Sequence, residues 1–149
     1  MEPKLIRDGD AAMHLSVGAI IKNKEGKYLL IDRLKKPFGF ACPAGHIDEG
    51  EEPIDALIRE VKEETGLDVK SYTEYDINYS RKDYSQVPQE TCSRGINFHM
   101  WFIYDVIAEG DLIFKEDEVK SIDWYSVEEI KKLELESVWK YWLTELKII

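Results

Sequence analysis

The sequence predicts an α/β fold, one mixed β-sheet held between helical layers, and three observations predict it. One strongly amphipathic helix pattern at residues 53–65 stands between runs of β-forming residues. The run from Ile96 to Ala108, INFHMWFIYDVIA, is apolar on both faces, as a central strand covered on two sides must be. Helix patterns then close the chain, so the order strand, strand, loop, helix, strand, strand, loop, strand, strand, helix, helix suits one sheet with helices on both faces. At 149 residues and 44% apolar content the chain reads as a single domain, 1–149, with one packed core.

Residues 1–13 carry no clear period and are read as an arm, an edge strand or part of a homodimer contact. Strand character starts near Leu15 and continues through Val17, Ala19, Ile20 and Ile21. Asn23 to Gly26 is a turn, because Gly26 accepts positive φ, and Lys27 to Arg33 is the return strand of a hairpin. Leu34 to Ala44 is a loop rich in Lys, Pro and Gly. Arg33, Lys35 and Lys36 are placed either to meet phosphates or simply to be solvated.

The stretch from Gly45 to Leu67 reads first as a loop and then as a helix. Gly45 and Gly50 punctuate an acidic turn, and Pro53 suits a first helical turn. Ile54, Leu57, Ile58, Val61 and Thr65 form one apolar stripe, and Gly66 is the left-handed stop. Glu60, Glu63 and Glu64 crowd one patch roughly opposite that stripe. Like charges at such spacing repel, and a hard divalent cation with its preference for oxygen would reverse the sign. The alternative is a solvated acidic face with Arg59 and Lys62 as local partners.

After the helix, Val69, Tyr72, Tyr75, Ile77 and Tyr79 mark strands, and Arg81 to Gly95 is a long polar loop containing Tyr84. His99, inside the apolar run, has no partner histidine at ligand spacing and reads as a core residue. A second acidic cluster, Glu116 to Glu118, precedes a strand with Trp124. Ser126 to Glu129 is a capping-box signature. Val138, Trp142, Leu146 and Ile149 are the apolar stripe of a C-terminal helix.

Composition narrows the chemistry. Cys42 and Cys92 show no ligand-like spacing, so neither a zinc site nor a disulfide framework is expected. The N-terminus lacks the apolar run of a signal peptide and no segment approaches ~18 apolar residues, so a cytoplasmic protein without membrane association is expected. Thirty acids against twenty bases, a formal charge of −10, disfavour nucleic-acid polymers as partners.

The spacing Gly45, Glu51, Arg59-Glu60-Val61, Glu63-Glu64, Gly66-Leu67 matches the signature of the Nudix hydrolases at every defined position, and on these residues the chain resembles that family. The resemblance implies a Nudix-type α/β/α sandwich and an enzyme that hydrolyses a nucleoside-linked diphosphate with Mg²⁺ or Mn²⁺. It implies metal binding by Glu60, Glu63 and Glu64, with Gly45 and Glu51 in the same site and Glu51 either completing the metal shell or orienting a member of it. Arg59 is expected to hold the glutamates. The general base is Glu118 or a glutamate of the signature itself, with Glu116 the fallback for Glu118 and Trp124 supporting that alignment. Pro43-Ala44-Gly45 stands where the family has Pro-Gly-Gly, and Phe40 holds the aromatic position before it, by core packing rather than substrate stacking. Arg33, Lys35, Phe40 and Tyr84 are the candidate substrate contacts, Tyr84 as a marker of dinucleoside polyphosphates. A small nucleotide is the expected partner, with a nucleoside triphosphate first. ADP-ribose, another sugar nucleotide or a dinucleoside polyphosphate is the alternative, and a nucleotide sensor without catalysis is the reading of another class.

Overall fold

The computed structural model describes residues 3, 5–8, 11–76 and 98–149, without the side chains of 5–8, 11–13, 98 and 99. Tyr84, Cys92, the loop 81–95, the side chains of Phe98 and His99, and the strand residues expected at 77–79 lie outside this description. The strands are β1 (Leu5–Asp8), β2 (Ala11–Ile21), β3 (Tyr28–Arg33), β4 (Gly39–Ala41), β5 (Ala44–His46), β6 (Asp68–Glu74), β7 (Phe98–Glu109) and β8 (Val119–Tyr125). The helices are α1 (Pro53–Thr65), α2 (Val127–Ile130) and α3 (Ser137–Glu145). Among the described residues no helix is long and apolar enough to cross a membrane.

The α/β class and the mixed sheet are as expected, but the strands divide into two sheets. A five-stranded sheet runs β1-β2-β7-β6 with β5 also on β2, and a three-stranded sheet runs β4-β3-β8. The expected hairpin explains the division. Its turn forms, with Asn23 Oδ1 accepting from the N–H groups of Glu25 and Lys27 and Gly26 at φ 78. Beyond a single bridge between Lys22 and Tyr28, however, the arms part. One edge of β2 is taken by the parallel strand β7 and the other by β1 and β5, so β3 must pair elsewhere, and it pairs with β8 and β4. Residues 5–8 are thus the edge strand among the readings offered for the N-terminal segment.

Alternation along the strands sends side chains to two apolar clusters. Leu15, Val17, Ala19 and Ile21 of β2, with Leu29 and Ile31 of β3, pack toward α1. Ile20, Leu30, Trp101 and Ile103 pack toward α2 and α3, whose Trp139, Trp142 and Leu143 are almost fully buried. Gly18 leaves the space for this packing, since a Cβ there would stand 2.5 Å from the Trp139 ring. The layers are therefore α1, sheets, and α2 with α3. β7 is central, as predicted, but it is covered on two sides only as far as Tyr104. Beyond that point Asp105 and Ile107 are exposed. The C-terminal stripe also differs: Trp139 and Leu143 join Val138 and Trp142, and the helix ends at Glu145, before Leu146 and Ile149.

Candidate active site

α1 begins with Pro53 at its first turn and ends at Gly66, whose φ of 82 and N–H bond to the Lys62 carbonyl (3.0 Å) make the left-handed stop the sequence predicts. The face it buries is rotated from the expected one. Ala56, Leu57, Val61 and Thr65 are buried, whereas Ile58 is 44% exposed. The rotation carries Glu60 and Glu64 inward beside Ala56, at i, i+4 and i+8, against the chain at Ala44 and Gly45. The three glutamates therefore do not share one solvent-facing patch opposite the apolar stripe. The Glu60 side chain is 16% exposed and that of Glu63 is 61% exposed.

Arg59 ties the cluster together. Its Nε donates to Glu51 Oε2 (2.8 Å) and its Nη2 to Glu51 Oε1 (2.9 Å), a two-bond fork, while Nη1 donates to Glu60 Oε1 at 2.7 Å. Nη2 also reaches the His46 carbonyl (3.0 Å) and Asp48 Oδ2 (3.4 Å), and Nη1 reaches Glu63 Oε2 at 3.3 Å. Both Glu51 oxygens are thereby committed, and Oε1 further accepts the Asp48 N–H (3.0 Å). Of the two expected roles, this arrangement supports Glu51 as an orienting group. The Arg59 bonds hold the Glu51 carboxyl below the usual carboxylate range.

Glu60 and Glu64 behave oppositely. Burial pushes Glu60 up to about 7 in spite of its Arg59 bond. Burial pushes Glu64 up to about 8, and the charge of Glu60 adds to it, against the 2.7 Å hydrogen bond from the Ala44 N–H and the charge of Arg33. Gly45 makes the approach feasible, because a Cβ at that position would collide with the Glu60 carboxylate. Gly45 is thus needed for space, and Ala44 presents its N–H to Glu64.

Glu118 sits in the turn before β8 and its charge reaches Glu64. Lys35 Nζ lies 3.8 Å from Glu118 Oε1, with both side chains exposed. Arg33 donates through Nε to the Pro37 carbonyl (2.8 Å), and 3.9 Å separates it from the buried Glu136. Arg33, Lys35, Glu118 and the helix glutamates thus border one region. Phe40 instead packs against Tyr125, ring centroids 5.7 Å apart, in the cluster under α3, as core packing requires. Reasoning from the sequence missed Asp48 and the His46 carbonyl in the Arg59 network. The 34–44 loop was expected to contribute to base and sugar recognition without Phe38 being singled out, and Lys120 and Lys132 beside Arg33 were missed.

Among the described residues no three His, Cys, Asp or Glu side chains converge as a formed metal cage, and Arg59 is bonded to both Glu60 and Glu63. The donor set nevertheless fits a hard divalent cation. It offers oxygen ligands only, two of its carboxylates are crowded where negative charge is disfavoured, and Glu63 is exposed with only a long bond to release.

A family model described as the NUDIX domain matches residues 12–146. The ADP-ribose pyrophosphatase of Methanocaldococcus jannaschii is 35% identical over 121 residues, 80% of this chain and 65% of that protein. The chain spans less than two thirds of the length of this relative and about a quarter to a third of the two that follow it. Among solved structures, a NUDIX-family hydrolase from Clostridium perfringens is 30% identical with a TM-score of 0.60, covering 91% of this chain and 97% of that one. A MutT NUDIX hydrolase from Burkholderia pseudomallei shares the fold at TM-score 0.66 and 20% identity, covering 89% and 96%.

Proposed function

The chain belongs to the Nudix family, and from that premise we propose that it hydrolyses a diphosphate bond in a nucleoside diphosphate-linked compound, using Mg²⁺ or Mn²⁺. One observation carries the reading: Glu60 lies inward at Gly45, bonded to an arginine that also spans Glu51 and Glu63, and Glu64 lies beside it, accepting the Ala44 N–H. A scaffold that crowds carboxylates against their own repulsion is suited to hold a cation. Nudix hydrolases in general depend on a divalent metal, and here Glu60, Glu63 and Glu64 would be its ligands. When bound, such an ion supplies charge neutralisation at phosphate oxygens and a more acidic water.

The chain's own groups have separate tasks. Arg59 keeps the glutamates in register through Glu51. Arg33 and Lys35 border the site where they can meet phosphate oxygens, and the proton of the attacking water passes to Glu118 or to a glutamate of α1. The sequence alone ranked a nucleoside triphosphate first. The archaeal relative, an ADP-ribose pyrophosphatase, supports placing ADP-ribose and similar sugar nucleotides beside it. Mass-spectrometric product analysis over triphosphates, sugar nucleotides and dinucleoside polyphosphates, each with Mg²⁺ and with Mn²⁺, tests both levels. Cleavage of none of them, with saturable nucleotide binding retained, would replace the hydrolase by a sensor. A kcat/KM for one class about tenfold above the others, ~1.4 kcal/mol in transition-state binding, assigns the substrate.

A further inference from the structure

We propose that His14, His46 and His99 form a binding site for a borderline divalent transition metal, Zn²⁺ or Ni²⁺, on the face of the sheet opposite α1. Such a site stands apart from the hydrolase reading, because it uses nitrogen ligands and takes another class of ion.

The chain has three histidines, and all three fall on adjacent strands. No sequence spacing relates them; the strand ladders do. β5 runs antiparallel to β2 with His46 opposite Ser16, and β7 runs parallel to β2 with His99 opposite His14. Leu15, Val17 and Ala19 turn toward α1, so alternation sends His14 and Ser16 to the other face. Cross-strand partners share a face, which sets His46 beside Ser16 and diagonal to His14. The rings agree with this register: the centroids of His14 and His46 lie 4.5 Å apart, with the planes at 70°. Two imidazoles bound to one tetrahedral ion at about 2.0–2.1 Å have centroids about 5 Å apart, so a small shift of the rings separates the two arrangements. The third histidine starts from the neighbouring backbone position on β7, one strand spacing from His14.

Burial and ligand type favour such an ion. His14 is 5% exposed, whereas His46 is half-buried and leaves a way in. Imidazole nitrogen suits Zn²⁺, Ni²⁺ and Cu²⁺, while Mg²⁺ and Mn²⁺ prefer oxygen. The histidines and the glutamates of α1 would therefore sort ions between them. The two groups meet at β5. Gly45 faces Glu60 on one side of the strand, and the next residue, His46, turns its ring to His14 on the other. The His46 carbonyl accepts from Arg59 Nη2 at 3.0 Å. An ion that fixes His46 thus also fixes an acceptor of the arginine that spans the glutamates.

The test is titration of the whole chain with Zn²⁺ in excess Mg²⁺, read by calorimetry and by the imidazole proton resonances. With three histidines the imidazole spectrum is simple, and one equivalent of Zn²⁺ is expected to move the resonances of all three. Binding should weaken by about tenfold or more in His46→Ala and in His99→Ala, at least the loss that changes behind the ligands cause at metal sites. Circular dichroism of the metal-free variants checks their fold, and the wild-type resonances decide the matter if a variant does not fold. No Zn²⁺ uptake in excess Mg²⁺, uptake that leaves the imidazole resonances in place, or wild-type affinity in either folded variant would overturn the site.

Discussion

At Gly45 the missing side chain is what lets Glu60 approach the β5 backbone, so its importance is spatial rather than conformational. Gly45→Ala is expected to push Glu60 off its Arg59 bond and to destabilise the fold by about 1–3 kcal/mol, the usual range for overpacking. Chemical denaturation measures the second effect and turnover the first; a variant with wild-type stability and activity would contradict the packing described. Glu64→Gln has the opposite balance. It removes a like charge from a crowded, desolvated position. Metal-free stability should hold or rise, while kcat falls by about 10²–10³, the scale of a lost charge-stabilising group. The same crowding sets a pH dependence. Both folded-state carboxyls titrate above their ordinary value of 4.5, Glu60 near 7 and Glu64 near 8. At these two groups the folded state then binds more protons than the unfolded one, so their contribution to stability is full below pH 4.5 and is lost as pH rises through about 8. Thermal melts in a chelator across that range should show the decline. A rising melting temperature over the same interval would mean that Glu60 and Glu64 are not desolvated as described.

At the level of elements, α1 and α2 are bounded by local chemistry. Gly66 is doubly constrained, by φ 82 and by the Asp111 carbonyl at 2.8 Å from where a Cβ would stand. Gly66→Ala should therefore cost at least about 1–2 kcal/mol, the left-handed penalty alone. Ser126 and Glu129 close a reciprocal capping box, at 3.1 Å for Glu129 N–H to Ser126 Oγ and 2.9 Å for Ser126 N–H to Glu129 Oε1. Ser126→Ala is expected to lower stability by about 1 kcal/mol. Urea midpoints check both. A change in Ser126→Ala within error of zero would show that α2 is held by the packing of Ile130 alone.

For the molecule as a whole, β2 and β7 each contribute side chains to both apolar clusters, so neither cluster can melt without exposing the strands that carry the other. Leu57→Ala, in the cluster under α1, should cost about 2–5 kcal/mol, and Trp142→Ala, in the cluster under α3, about 3–5 kcal/mol. Unfolding of the wild type should stay one transition, with tryptophan fluorescence and far-ultraviolet circular dichroism coinciding. Two separated transitions would show that the clusters are independent. The formal charge of −10 also belongs to this scale. On the proposed function, a small anionic substrate would need local groups such as Arg33 and Lys35 to hold it against the field of the whole surface.

What the sequence by itself determined about this protein is what acts within one turn or one helix. The proline start and glycine stop of α1, the capping box of α2, the apolar character of β7 and the spacing of the glutamate signature all depend on neighbours a few residues away, and all are found in the structure. Tertiary packing decided the rest. A stripe pattern allows a helix to rotate by part of a turn, and only the surface that α1 packs against turned Ile58 outward and Glu60 and Glu64 inward. Hairpin chemistry is local, but the pairing of β3 was settled by β7, β1 and β5 occupying both edges of β2 from distant parts of the chain. The cleft at Phe38 gathers residues 32–40, 120 and 132–134, which no sequence spacing relates, because a cavity exists only where separately encoded surfaces fail to meet.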